Sequence, residues 1–497
     1  MLRPQHVLTF AATAALALAF AGSAAAARFV VVYSSHVSQP VAERHVARAG
    51  GQLVAAYPQI GVVVAESSDS GFESAIERLP RVQGATATTA FAASASVEYG
   101  DWAPHEGNLL NEPAADADTF SSLQWGLRQI HATEAHAITG GSPEVLVGHI
   151  DTGIDFTHPD LTPNLDTANS VSCVGGAPSQ DPAAWDDDSG HGTNTAGIIA
   201  AASNGIGVVG VAPNVRIAAI KASIRQGTSD IFLPEAVICS FMWAAEHGVD
   251  VANNSYSVDS APVGGTTFFC RDNPEQRTVI EAVGRSVRWA KFRGVSVVAS
   301  AGNTNSDLVA NSCLRLPSEL RGVVTVGATG ILGKRAAFSN YGLGVVDVAA
   351  PGGEVAQGGP PPGNLILSTW PAKFPAPTLL CDPVGTPCFP GPTPGVSYYR
   401  YGLGTSQAAA HASGVAALVV SRFGRDHESF RGQMRPFRVA AILERTADPQ
   451  PCPPEPACVA DGDLNGYYGH GILNALRALE HGGDDPDDDD EDDGDDD

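Results

Sequence analysis

The spacing of apolar positions along this chain changes near residue 121. Before it, β-branched and aromatic runs at 29–33, 52–57, 61–65 and 82–88 are interleaved with helical stretches at 40–49 and 71–78. That βαββαβ order predicts a small α+β domain of ferredoxin-like form. Beyond it, near-continuous apolar runs at 145–150, 217–222, 249–252, 295–299 and 323–326 alternate with helical stretches at 194–202, 233–246, 278–293 and 407–422. Strands that are apolar on both sides and separated by helices predict an α/β domain with a mainly parallel, doubly wound sheet. Residues 92–120, rich in Ala, Asp, Gly, Asn and Pro, read as a linker. Residues 354–400 carry too much Pro and Gly for a central strand or helix and read as an insertion.

The amino terminus follows neither pattern. Arg3 precedes an apolar run over 7–20, and Gly22-Ser23-Ala24-Ala25-Ala26-Ala27 follows it. This is the pattern of a cleavable export signal over 1–27. No later stretch is long and apolar enough to cross a bilayer, so a secreted product without a membrane contact is expected. The eight cysteines, none before Cys173, suit an oxidising compartment. Short bridges are expected for Cys381 with Cys388 and for Cys452 with Cys458, and Cys270 with Cys313 is a third. Cys239 lies in an apolar helical stretch and fits a bridge or a buried thiol equally.

Charge narrows the partners. The chain has 29 basic and 54 acidic residues, a net charge of −25, which argues against nucleic acid and anionic membranes. Twelve of the acids fall in the last fourteen residues, an acidic tail that reads as solvated and disordered.

Four segments carry candidate chemistry. His149-Ile150-Asp151-Thr152-Gly153 is a buried strand ending in a carboxylate and a turn, and Ser189-Gly190-His191-Gly192-Thr193 sets a His at a helix start. Gly404-Thr405-Ser406-Gln407 sets a Ser at the start of an Ala-rich helix, and Ser300-Ala301-Gly302-Asn303 leads from a strand to an amide. A Ser hydroxyl needs an imidazole to take its proton, and the imidazole needs a carboxylate to hold its tautomer. An amide and a helix-start N–H can receive the oxyanion of the intermediate. The roles expected are Ser406 as nucleophile, His191 as base, Asp151 as the orienting acid and Asn303 as oxyanion donor.

In combination these motifs resemble the subtilases, the subtilisin-like serine peptidases, over about 121–481. The resemblance extends to His158-Pro159-Asp160-Leu161 and to the closing Gly469-His470-Gly471-Ile472-Leu473-Asn474-Ala475. It implies a subtilisin-like fold, hydrolysis of polypeptide substrates without a catalytic cofactor, and a leading domain that acts as an inhibitory propeptide. It also implies substrate-binding segments at Ser255, Tyr256 and Ser257 and at Ser300, Ala301 and Gly302. Many subtilases bind structural calcium, but no residues here are assigned to a metal. The expected division is signal 1–27, propeptide 28–91, linker 92–120, peptidase domain 121–482 and tail 483–497, the product being a monomer.

Two departures from the family pattern keep rivals in view. Gln407 stands where Met is usual, and Ser257 where a pocket-forming Gly is usual. A catalytically impaired binding protein on the same scaffold is the alternative they suggest, and the 354–400 insertion, close before Ser406, suggests a narrow processing peptidase as another. His158, His411 and His470 read as structural, Asp186-Asp187-Asp188 as an exposed acidic loop. Asp461-Gly462-Asp463-Leu464-Asn465-Gly466 starts like an EF-hand loop but has Ile472 where Glu is required, so it reads as a turn.

Overall fold

The computed structural model describes residues 26–88, 92–94, 116–256, 269–310, 313–356, 363–374, 379–382, 396–424 and 434–483. Ser257, Cys388, most of the expected linker and nearly all of the expected signal and acidic tail lie outside the described residues.

The leading part contains β1 (Ala27–Tyr33), α1 (Gln39–Arg48), β2 (Gln52–Tyr57), β3 (Val62–Ser67), α2 (Phe72–Glu77) and β4 (Val82–Ala87). Its strands form an antiparallel sheet in the order β2-β3-β1-β4, the ferredoxin-like arrangement the periodicity predicts. Alternation along β1 splits its side chains between two cores. Val31 and Tyr33 pack inside this domain with Val46, Phe72 and Ile76. Val30 and Val32 face outward into the core of the larger domain. Beyond β4, a short strand β5 (Ala92–Ser94) leaves the domain.

The larger domain follows, with α3 (Trp125–Gln129), α4 (Ala132–Ala135), β6 (Leu146–Asp151), β7 (Val171–Ser172), α5 (Pro182–Trp185), α6 (His191–Ala200), β8 (Arg216–Lys221), β9 (Ser223–Gln226), β10 (Ser229–Phe232) and α7 (Pro234–Glu246). It continues through β11 (Val251–Asn254), α8 (Pro274–Phe292), β12 (Ser296–Ser300), β13 (Val324–Thr329) and β14 (Val348–Pro351). The chain then forms β15 (Ile366–Thr369), β16 (Leu379–Asp382), β17 (Ser397–Gly402), α9 (Thr405–Phe423), α10 (Pro436–Arg445), β18 (Ala460–Asp461), β19 (Leu464–Asn465) and α11 (Ala475–His481). Seven parallel strands make one sheet in the order β14-β13-β12-β11-β6-β8-β7.

Both faces of the sheet are covered, which is why its strands read as apolar runs. Val147, Ile217, Val251 and Val298 pack on one side with residues of α6 and α9. Leu146, Ile150, Ala218, Ala252 and Val297 pack on the other with residues of α7 and α8. Helix α9 is buried nearly all round, as its Ala- and Val-rich sequence requires.

Two findings go beyond the sequence reading, the pairing of Cys239 and the order within 354–400. Cys239 is bridged to Cys173, tying α7 to the segment after β7 across 66 residues of sequence. Cys270–Cys313 and Cys452–Cys458 form as expected, and Cys381 is bridged too. The stretch 354–400 is more than an interruption: β15, β17 and β16 form an antiparallel sheet whose first strand packs on α6. The Asp461 segment is a turn, as expected, and closes the β18–β19 hairpin.

Arg285 of α8 fastens the leading domain to the larger one. It donates to the carbonyls of Tyr33 (2.7 Å) and Ile60 (3.0 Å) and to Oε1 of Gln83 (3.0 Å). Tyr57 adds a hydroxyl bond to the Gly176 carbonyl at 2.9 Å. Strand β5 then joins the edge of β10, pairing Ala92 with Phe232 and Ser94 with Asp230. Among the described residues, no helix is long and apolar enough to cross a membrane.

Candidate active site

The carboxyl ends of β6, β11 and β12 lie side by side, where open parallel sheets collect their sites. β6 ends at Asp151, β11 leads into Ser255 and Tyr256, and β12 leads into Ala301, Gly302 and Asn303. Helix α6 opens with His191, and α9 carries Ser406 in its first turn.

Asp151 and His191 are in direct contact. Nδ1 of His191 donates to Oδ1 of Asp151 at 2.7 Å, and both side chains are buried. The Thr152 N–H gives that oxygen a second bond at 2.7 Å. Burial alone would raise the pKa of Asp151, but the His191 charge and hydrogen bond, His149 and the Thr152 N–H outweigh it and hold it low. Burial would lower that of His191, and Asp151 reverses the shift upward, with Asp230 and Asp187 adding to it. Nε2 of His191 is buried and has no hydrogen-bond partner.

Ser406 and Ser255 are bonded reciprocally. The Ser406 hydroxyl donates to the Ser255 carbonyl at 2.7 Å, and the Ser255 hydroxyl to the Ser406 carbonyl at 2.9 Å. Asn303 is oriented from α9: the N–H and hydroxyl of Thr405 both donate to its Oδ1 at 2.8 Å. That leaves its Nδ2 as the donor end, while the first N–H groups of α9 have no acceptor within the helix. Ser300 donates to the Tyr256 carbonyl at 3.2 Å, which joins the two expected substrate-binding segments. The Ala301 N–H bonds to Val326, and the Gly302 N–H to the Thr405 hydroxyl. The Tyr256 ring is buried and stacks on Phe232 of β10, with centroids 4.1 Å apart.

The loop before His191 corrects the sequence reading. Asp186 and Asp188 pair with Lys373 and Lys221, but Asp187 is fully buried. Its Oδ1 accepts from the Thr152 hydroxyl and the N–H groups of Ser189 and Gly190, and its Oδ2 from the N–H and hydroxyl of Thr193. Thr152 in turn receives the Gly192 N–H at 2.8 Å, so Asp187 braces the start of α6. The two glycines beside His191 are steric requirements. Gly190 has φ +98° and a Cβ there would sit 2.5 Å from the Trp370 ring, while one on Gly192 would sit 2.1 Å from the Gly153 carbonyl.

The three histidines that the sequence reading took as structural have partners away from the reaction. His158 bonds to the Tyr398 carbonyl and His411 to that of Gln407, and His470 faces Glu444 at 3.8 Å. Asp155 accepts from Thr157 within its own turn. Gln407 donates to Oδ1 of Asn194 at 3.2 Å, and its own amide oxygen is buried without a partner. Among the described residues, no three His, Cys, Asp or Glu side chains converge as a metal site.

Comparison with known proteins bears on the family and the fold. The chain is 32% identical over 314 residues to an alkaline protease of Alkalihalobacillus alcalophilus, an alignment covering 63% of each chain. It is 33% identical to subtilisin BL of Lederbergia lenta over 60% of this chain and 84% of that one. The match thus spans less than two thirds of the alkaline protease. The crystal structure of the epidermin leader peptide processing serine protease EpiP from Staphylococcus aureus shares the fold, with a TM-score of 0.65 at 20% identity. That superposition covers 93% of this chain and 99% of EpiP. Residues 142–471 match the subtilase family, Peptidase_S8, and the chain belongs to that family.

Proposed function

We propose that this protein is a secreted serine endopeptidase, made as an inhibited zymogen, whose matured form hydrolyses peptide bonds through an acyl-enzyme intermediate. One observation carries the reading: His191 is held by Asp151 at 2.7 Å and presents a buried, unpartnered Nε2, on a helix packed against the one that bears Ser406. Rotation about its Cα–Cβ bond turns the Ser406 hydroxyl from the Ser255 carbonyl toward Nε2. The oxygen attacks the peptide carbonyl as His191 takes its proton, and His191 returns that proton to the leaving amine. Asp151 keeps the Nδ1–H tautomer and stabilises the imidazolium. Asn303 Nδ2 and the Ser406 N–H receive the oxyanion, and losing one such donor costs about 10²–10³ in kcat. Water, activated by the same base, then releases the acyl group.

The substrate would run as an extended strand between β10 and the segment from Ser255 onward, past Ser300, Ala301 and Gly302. β5 already lies on the β10 edge in this manner, which supports the leading domain as an intramolecular inhibitor. The bridged cysteines suit an exported protein. The proposal assigns no cofactor to the chemistry and treats the enzyme as a monomer.

Replacing Ser406 with Ala is expected to abolish both peptide hydrolysis and release of the leading domain. A Ser406→Ala protein that matured alone and cleaved casein would overturn the reading. Failure of matured wild type to take a fluorophosphonate label would favour the binding-protein alternative. Restriction to a few processing sites is a narrower form of the proposal, favoured by the Trp370 ring packed against Gly190 beside His191. Cleavage of a peptide library at many unrelated sequences would exclude it.

A further inference from the structure

Strand β6 is apolar except at two positions, His149 and Asp151, which share one face of the strand. His149 is fully buried. Its Nε2 lies 2.9 Å from the Gly192 carbonyl, 3.1 Å from the Thr195 hydroxyl and 3.8 Å from Oδ2 of Asp151. Its Nδ1 lies 3.1 Å from Nδ2 of Asn253. A carbonyl can only accept, so the proton sits on Nε2 and Nδ1 accepts from the amide. The chain of bonds continues beyond the ring. Asn253 donates to the Ser255 hydroxyl at 2.9 Å and accepts from Ser413 of α9 at 2.9 Å. Ser255 donates to the Ser406 carbonyl at 2.9 Å.

We propose that His149 is a positioning residue for the reaction, a neutral imidazole that ties β6, the first turn of α6 and the start of α9 into one polar frame and so holds Asp151 against His191. The proposal rests on the catalytic reading above. An apolar residue would satisfy packing at this position as well, as its strand neighbours do. It would leave the Gly192 carbonyl, one residue from His191, and the Asn253 amide without this bridge. Burial keeps the His149 pKa low, against the pull of Asp151 and the Gly192 carbonyl, with His191 adding to the lowering. The groups facing it are therefore Asp151, His191, Thr195 and Asn253, and the ring does not compete with His191 as a second cation for the carboxylate.

The test compares matured wild type with His149→Leu and His149→Gln on one peptide substrate from pH 5 to 9. His149→Leu is expected to lower kcat about 10- to 100-fold, the scale on which small misplacements cost rate, with KM changed less than about twofold. The acid limb of kcat/KM should move to lower pH, because a weaker hold by Asp151 lets the His191 pKa fall. Gln can donate and accept from one side-chain end, so His149→Gln should recover most of kcat. Should His149→Leu not mature, Asn253→Ala keeps the ring but removes its donor, and the same fall in kcat with shifted acid limb is expected. Unchanged kcat and pH profile, or a loss confined to KM, overturns the role of His149. Fluorophosphonate labelling of wild type separates the two levels: no label defeats the catalytic reading itself, whereas full label with an indifferent variant defeats only this inference.

Discussion

Two buried carboxyl groups in this molecule have opposite surroundings. Asp151, under the candidate triad, accepts bonds from the Thr152 N–H and the His191 ring, with the Thr195 hydroxyl and the His149 ring close to its other oxygen. Glu235, in the first turn of α7 beneath the leading domain, is equally sealed, and the donors near it, its own N–H and the Thr88 hydroxyl, do not reach its oxygens in full hydrogen-bond geometry. Burial pushes both toward the neutral acid. At Asp151 the donors and the imidazole win and the pKa falls. At Glu235 burial wins and the pKa rises, although its own N–H, the Thr88 hydroxyl and the Arg28 guanidinium favour the anion. The floor of the site is built to keep a charge, whereas at the seam under the leading domain the groups that favour one are too weak to offset burial.

The comparison breaks most severely at the floor. Asp151→Asn keeps the shape and removes the charge, and an amide can present its N–H where the carboxylate accepted, which favours the wrong His191 tautomer. A fall of about 10⁴ in kcat is expected, with KM little changed. Steady-state kinetics on matured enzyme would check it. A loss below about tenfold would mean that the anion at this position is not what orients His191.

How much of this contrast could be read beforehand depends on what each residue looks like in one dimension. Asp151 was legible because a strand buried on both faces announces itself as an apolar run, and the acid ends that run. His191 and Ser406 were legible through the small residues that pack around them. Asp187 looked like one of three solvated acids, since nothing local shows that Thr152 and Thr193 close around it. His149 was hidden inside its strand, because its partners lie on α6 and β11. The Cys173–Cys239 bridge joins positions 66 residues apart, and pairing at such range is fixed by the fold alone. Glu235 has the sequence signature of an ordinary acid at a helix start. Only the docked leading domain makes it unusual.

The seam offers a smaller test with a different signature. Arg285 holds the leading domain through three acceptors, and its guanidinium fork is what allows all three. Arg285→Lys keeps the charge and loses the fork. Bonds of this charged kind are each worth about 1.5–3 kcal/mol. The variant should release its leading domain sooner during maturation, while the matured enzyme keeps wild-type kcat and KM. A time course of processing by gel, set beside kinetics of the matured form, reads both. Equal processing rates would mean that the apolar contacts of Val30, Val32, Ile60 and Val62 suffice without it.

The mildest test concerns pH and follows from Glu235. With the leading domain docked, its pKa stands above the ordinary 4.5. Undocked, the side chain meets water and returns toward that value. The docked form therefore binds an extra proton between the two values, so docking is tightest at or below about pH 4.5 and weakens as pH rises through the raised pKa. Arg28 is the charged neighbour across the seam, and its own pairing with Glu66 at 3.0 Å limits what it can give to Glu235. Glu235→Gln is neutral at every pH and removes this dependence while nearly keeping the shape. In a Ser406→Ala background, where the leading domain stays attached, amide exchange in β1 and β3 reports docking directly. After correction for intrinsic exchange rates, protection should fall from pH 5 to pH 8 in the Glu235 protein and stay level in Glu235→Gln. Parallel falls in both would place the pH sensitivity of the seam elsewhere and would remove the contrast with Asp151 as its explanation.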